Sequence, residues 1–291
     1  MNFAIIVLFL AIIQGVCEFL PISSSGHLLV LGKYFLPNGT VSDESQQIAL
    51  SVLLHAGTFL SILVVYRQVV IDMFLRDRRL LAMVIVATIP TGFIGLGIKK
   101  FATTLETSLP ITAAGFLVTA VLLFCVIASS RQRAQHLPDE KPLEQSNHFL
   151  QSLQTSRFSQ NISFYDAFFI GLIQGIAVLP GFSRSGLTLA AGITRRLSQA
   201  EAAAFSFLIA LPALAGAILV ELIHPILTAD ASVSTFFVQH AQLLTAAFVI
   251  SFGVGIVAIK LLLHWLQQGK LHYWGYWLIA MAILTLLAIL H

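Results

Sequence analysis

The chain has 291 residues, 57% of them hydrophobic, with 16 Lys and Arg against 13 Asp and Glu. Its charged share of 10% lies far below the roughly 25% of ordinary soluble domains, and its mean hydropathy is +0.90. This excludes a disordered chain and a disulfide scaffold, and argues against a soluble globular protein. A net charge of +3 spread so thinly marks no nucleic-acid patch. A polytopic membrane protein remains.

The chain opens with a short apolar run, Phe3–Ile13, that passes into a polar stretch from Gln14 to His27 and then a second short run, Leu28–Leu31. No basic region precedes Phe3–Ile13 and no cleavage site follows it, so it is not read as a signal peptide. Three stretches near the ~20-residue length of a membrane-spanning helix follow, at Ile48–Tyr66, Leu80–Ile98 and Leu109–Ser129. A polar segment, residues 130–163, reads as a loop. Phe164–Ile173 then repeats the opening pattern, with an elbow at residues 174–186 and a short run Leu187–Ile193. The last spans are Ala202–Leu222, Ala241–His264 and Tyr273–Leu290. Glu221 and Lys260 fall near span ends, where they can reach the interface. Trp265, Trp274 and Trp277 flank the last two spans as an interfacial belt would. Cys17 and Cys125 are too few for a disulfide framework and read as free thiols.

Pro and Gly interrupt both elbows, so each reads as two half-helices that enter and leave a membrane on one side. The elbows match each other. Gln14-Gly15 aligns with Gln174-Gly175, and Ser23, Ser25, Gly26 and Gly32 align with Ser183, Ser185, Gly186 and Gly192 at the same offset. The expected fold is an all-α polytopic membrane protein with six transmembrane helices plus two re-entrant helical hairpins in an inverted-topology repeat. Residues 1–129 form the first repeat, 130–163 a cytoplasmic linker and 164–291 the second repeat. Three spans per repeat place the hairpins on opposite faces. One side then holds Arg67, Arg76, Arg78, Arg79, Arg131, Arg133, Lys141, Arg157, Arg195, Arg196, Lys260 and Lys270. The other holds Lys33, Lys99 and Lys100. The basic side is cytoplasmic by the positive-inside rule, which puts both termini outside.

The elbows carry the chemistry-bearing residues. Gln14 and Glu18, four apart, share a helix face. A carboxylate at membrane depth is a functional candidate, as general base, cation ligand or proton carrier. Ser23, Ser24 and Ser25 offer hydroxyls, and His27 an imidazole able to activate one. The alternative is that these groups only satisfy broken backbone, but six polar residues in one elbow, opposite a matching elbow, favour a site. In the second elbow Arg184 brings a planar fork suited to phosphate oxygens. Ser183, Ser185 and Thr188 add hydroxyls, and a half-helix beginning near Gly186 adds an amide-rich end. Together these residues suit a phosphate group whose tail lies in lipid. His55 and Ser206 lie in spans and read first as helix–helix hydrogen-bonding residues, second as site-lining ones.

At these motifs the chain resembles the undecaprenyl-diphosphatase family, also called bacitracin-resistance proteins. One family signature stands as Gln14, Glu18 and Phe19–His27, the other as Pro180–Thr188; Leu54–Thr58, Asp166 and Glu201–Pro212 also look familial. The resemblance implies hydrolysis of undecaprenyl diphosphate to undecaprenyl phosphate and phosphate, recycling the lipid carrier of peptidoglycan synthesis and conferring bacitracin resistance. It implies a bacterial plasma (inner) membrane location, a site opening to the extracytoplasmic side, and a divalent cation, Mg or Ca. By position, Glu18, Ser24, His27 and Arg184 would be catalytic. Ser23, Ser25, Ser183, Arg184, Ser185 and Thr188 would bind the substrate phosphates, and Glu18 with Gln14 would hold the metal. Gln14 stands where the family often has Glu; glutamine is no base, but its carbonyl can still hold a cation or a water. The expected partners are the polyprenyl diphosphate lipid and the membrane, with no nucleic acid; a homodimer is left open. The rival reading is a lipid-phosphate transporter or flippase with an inverted-repeat fold.

Overall fold

The computed structural model describes residues 3–34, 44–136, 158–227 and 231–290; most of the expected linker, 137–157, lies outside the described residues. Among the described residues every regular element is a helix. The first half holds α1 (Phe3–Cys17), α2 (Ser24–Tyr34), α3 (Glu44–Val65), α4 (Arg67–Leu75), α5 (Arg78–Phe101), α6 (Thr103–Glu106) and α7 (Leu109–His136). The second holds α8 (Phe158–Asn161), α9 (Phe164–Ile176), α10 (Arg184–Thr194), α11 (Gln199–Leu227), α12 (Ala231–Gln239), α13 (Ala241–Gln267) and α14 (His272–Leu290).

Among the described residues, six helices are long and apolar enough to cross a membrane: α3, α5, α7, α11, α13 and α14, the same six segments expected from hydropathy. Their outward faces are apolar: Phe93 is 77% exposed, Val257 64% and Leu219 55%. A water-soluble protein would carry polar side chains there. Two segments expected as loops are helical instead. Residues 67–75 form α4 because Val69 and Met73, one turn apart, are buried against the core. Residues 231–239 form α12, which buries Val233 and Phe236. Charge counting along the chain did not register these short 3.6-residue periodicities.

Between membrane helices there is no hydrophobic driving force, so close approach and hydrogen bonding hold them together. On the α3–α13 seam, Ser61 Oγ donates to Phe252 O at 2.8 Å and Ser251 Oγ donates to Leu54 O at 2.9 Å. On the α5–α9 seam, Thr91 Oγ1 donates to Gly171 O at 2.9 Å. The helices there approach so closely that a Cβ on Gly171 would sit 2.1 Å from Ala87 O. The short helices use the long ones as walls: α1 packs on α13, and α9 on α5.

At the start of α9, Ser163 and Asp166 form a reciprocal capping box, and Arg195 Nε donates to Asp166 Oδ1 at 2.5 Å. Burial works against the Asp166 charge, but the hydrogen bonds from Ser163 and Arg195 outweigh it and hold the carboxyl below its ordinary value. Arg79 Nε donates to Ser159 O at 2.9 Å, tying α5 to the same end. These ties fix where α9 and α10 enter the fold, and with them the second elbow.

Candidate active site

Both elbows turn sharply and end in the same cap. In the first, Ser23 has a φ of 70°, and its Oγ accepts from Gly26 N at 3.3 Å. In the second, Gly181 has a φ of 85°, and Ser183 Oγ accepts from Gly186 N at 3.2 Å, starting α10 at Arg184. Helix α7 seats the second elbow. A Cβ on Gly181 would fall 2.0 Å from Thr112 O, and Ser183 N donates to Thr119 Oγ1 at 3.2 Å. Any residue but glycine would both strain the turn and push it off its seat. The elbows touch directly, with Ser185 Oγ donating to Leu20 O at 3.0 Å.

At their meeting point lies a cavity of about 200 Å³. Its polar lining includes Glu18, Ser23, Ser24, Ser25 and Arg184, with His55, Thr91 and Gln174 from neighbouring helices. Ala177, Val178, Phe182, Ala213, Leu214 and Ala217 form an apolar wall. Glu18 is the hub. Its Oε1 accepts from Arg184 Nη2, and its Oε2 accepts from Ser24 Oγ at 2.8 Å and Gln14 Nε2 at 3.0 Å. The side chains of Glu18 and Arg184 are 6% and 17% exposed, so the ion pair is shielded from water. Arg184 keeps one donor free, since Nη1 is buried with no partner among the described residues. Also in the lining, Gln174 donates to Thr91 Oγ1 and Ile209 O, both at 3.2 Å, and its buried Oε1 has no partner among the described residues.

The structure brings together five of the expected site residues and sets the others around them. Gln14 stands behind Glu18 and turns its amide nitrogen to it. Ser183 caps α10 and Ser185 bridges to Leu20. Thr188 meets Ser206 at 2.5 Å, so Ser206 serves helix–helix bonding. His27 does not line the cavity. It is buried, nearly coplanar with Trp277 at a ring-centroid distance of 6.0 Å, and edge-on to Phe116. Trp277 Nε1 donates to His27 Nε2 at 2.9 Å, which makes Nδ1 the protonated nitrogen, donating to Ser23 O at 2.8 Å. Sequence reasoning passed over Thr91, Gln174 and Trp277 as site residues. Gln174 carried a signal, as the repeat partner of Gln14. Trp277 was placed in an interfacial belt, and nothing local marks it as the support of an elbow.

The donor set also bears on the implied cation. Among the described residues no group of three His, Cys, Asp or Glu could hold a metal. The cavity offers one carboxylate, Glu18, which suits an ion such as Mg²⁺ that is bound by one or two carboxylates plus the substrate's own phosphates.

Buried polar groups converging where two interrupted helical segments meet, inside a jacket of apolar helices, define a multi-pass membrane protein with a polar site among its helices. The chain belongs to the family described as "Bacitracin resistance protein BacA", matched over residues 7–284. It is 34% identical over 288 residues to the undecaprenyl-diphosphatase of Rhodopirellula baltica, covering 97% of this chain and 96% of that one. It is 32% identical over 291 residues to the undecaprenyl-diphosphatase of Carboxydothermus hydrogenoformans, with coverage of 97% and 96%. The namesake from Korarchaeum cryptofilum is 31% identical over 303 residues, covering 96% and 98%.

Proposed function

We propose that the chain is an undecaprenyl-diphosphate phosphatase that removes the terminal phosphate of its lipid substrate within the cavity. On this reading it recycles the lipid carrier of peptidoglycan synthesis and confers bacitracin resistance. One observation carries the reading: the Arg184–Glu18–Ser24 contact, in which a phosphate-binding fork, a carboxylate and a hydroxyl meet in one shielded cavity. In the resting site the fork is held by Glu18. An arriving diphosphate competes for Arg184, whose Nη1 is already free to bind it. Glu18 then retains Ser24 as its donor and accepts the Ser24 proton. The Ser24 oxygen, or a water in its place, forms a bond to the terminal phosphorus as the bond to the bridging oxygen breaks. Arg184 stabilises the charge on the transferring phosphoryl oxygens. With Ser24 as nucleophile, water then cleaves the phosphoserine and releases phosphate. His27, with both ring nitrogens engaged, holds the Ser23 backbone and so aims Ser24. Ser183, Ser185 and Thr188 shape the Arg184 elbow. A divalent cation would be held by Glu18 and the substrate's phosphates and would supply further charge neutralisation.

The prenyl tail runs along the apolar wall of Ala213, Leu214 and Ala217. The two halves, 1–129 and 164–291, are inverted repeats joined by a cytoplasmic linker, each opening with a re-entrant hairpin. This is supported by the matched elbows and by reciprocal packing: the first short helix of each half lies on the second long helix of the other, α1 on α13 and α9 on α5. In this topology the chain sits in the bacterial inner membrane with its site opening outward. Phosphate release from undecaprenyl diphosphate by purified protein in detergent, with and without chelator, tests the reading. A transporter or flippase of the same fold releases none.

A further inference from the structure

A second polar cluster, unused by the proposed reaction, begins in the cavity wall and leads away from it. Ser51 and His55 are one turn apart on α3, and Glu221 reaches them from α11, one turn beyond the cavity-lining Ala217. Ser51 Oγ donates to Glu221 Oε1 at 3.0 Å and lies 3.2 Å from His55 Nδ1. Nδ1 also lies 2.9 Å from Ser51 O. Ser51 has one hydroxyl hydrogen, and Glu221 takes it, so the proton between His55 and Ser51 belongs to Nδ1. Nε2 is then the accepting nitrogen of a ring that lines the cavity with Glu18. Glu221 lies near a span end and is half-buried. Ser51 holds it, and among the described residues its buried Oε2 has no partner and no Lys or Arg pairs with it. A half-buried carboxylate without a counter-ion needs a reason.

We propose that His55, Ser51 and Glu221 form a proton exit from the cavity. The inference rests on the phosphatase reading, because that reaction produces the proton. A diphosphate ester trianion and one water yield a lipid monophosphate dianion, a hydrogen phosphate dianion and one proton, whether serine or water attacks first. That proton must leave the cavity before the site can turn over again. His55 Nε2, in the cavity wall, takes it. Nδ1 gives its own proton to Ser51 Oγ as the Ser51 hydrogen passes to Glu221. Glu221 releases it toward the N-terminal end of α3 and the C-terminal end of α11, the outer side in the proposed topology.

The test is phosphate release by purified full-length protein from a polyprenyl diphosphate, with kcat, KM and the solvent deuterium isotope effect measured for each variant. Glu221→Gln keeps the acceptor but carries no proton. It is expected to lower kcat roughly tenfold, below the ~100-fold at which direct acid–base groups begin, to leave KM unchanged and to raise the isotope effect. Glu221→Asp recovers most of the rate. His55→Gln matches Glu221→Gln, and the double variant is no slower than either, because one broken link stops the whole chain. Ser51→Ala carries the same test should a Glu221 variant fail to fold. Wild-type kcat in Glu221→Gln and His55→Gln, a change confined to KM, or an Asp variant as slow as Gln overturns the relay while the phosphatase reading stands. Wild-type protein that releases no phosphate overturns both.

Discussion

The first elbow turns on a serine with a φ of 70°, the second on a glycine with a φ of 85°. A non-glycine residue in that region costs roughly 1–2 kcal/mol, so the first elbow stores strain that the second avoids. The supports differ accordingly. The second elbow is seated closely on α7 around Thr112 and Thr119. The first is held partly by the second, through Ser185 and Leu20, and partly from α14, where His27 donates to Ser23 O and Trp277 donates to His27. The shared Ser-x-Ser-Gly cap carries opposite cargo: Ser24 and the nearby Glu18 in one elbow, Arg184 at the Ser24-equivalent position in the other. A common scaffold thus presents a nucleophile on the strained side and an anion clamp on the relaxed side, in keeping with the tendency of backbone strain to collect at functional sites.

Breaking the clamp has the largest expected effect. Arg184→Ala abolishes phosphate release, beyond the ~100- to 1,000-fold loss of one oxyanion donor, and Arg184→Lys recovers only part because it lacks the fork. Near-normal turnover by Arg184→Ala refutes the clamp. Glu18→Gln comes next. It slows release roughly 100-fold or more, and it leaves Arg184 buried without its counter-charge, a loss of about 3–5 kcal/mol readable in thermal unfolding in detergent. The exchange Glu18→Arg with Arg184→Glu restores the pair and much of the stability but no activity. If the exchange is active, the assignment of roles to the two elbows is wrong. Ser24→Ala separates the chemical routes: serine attack predicts a dead enzyme, water attack a slow one. Trp277→Phe keeps an aromatic ring beside His27 but drops the hydrogen bond. It should lower kcat about tenfold through a loosened first elbow, a loss of ~1.4 kcal/mol, with KM unmoved; an equal rate removes the Trp277 support from the account.

The smallest effect sits far from the cavity. Asp166 has a lowered pKa in the fold, so its contribution to stability is present above the unfolded-state pKa and is lost as pH falls through the folded one. Arg195 is 45% exposed, so the ion pair contributes up to about 1 kcal/mol. Asp166→Asn should flatten the acid limb of the thermal unfolding profile while leaving the neutral-pH rate near normal. A profile unchanged by the substitution shows that other groups set the acid limb.

Much of this was legible in the sequence because membrane physics leaves few choices. A window of twenty apolar residues can only span or be buried, and the ends of Ala241–His264 and Tyr273–Leu290 came within three residues of the helices in the fold. Glu18 and Arg184 stood out because buried charge is rare. The residues passed over are those whose role depends on a distant neighbour. Trp277 has the composition of an interfacial residue, and only the packing of α14 on α7 brings it to His27. Gln174 reaches the cavity because Thr91 and Ile209 turn it there. His27, conversely, looked like an acid or base from its motif. Its surroundings use both of its nitrogens for support.

The Trp277–His27 bond also has a consequence for biosynthesis. The two residues are 250 positions apart, so the ribosome delivers the first elbow long before it makes the tryptophan that steadies it. Until α14 has inserted, His27 lacks its Trp277 donor, and a chain truncated before Trp277 should turn over no faster than Trp277→Phe. Full turnover therefore waits for the last helix, and the order of synthesis sets when the first elbow reaches its final geometry.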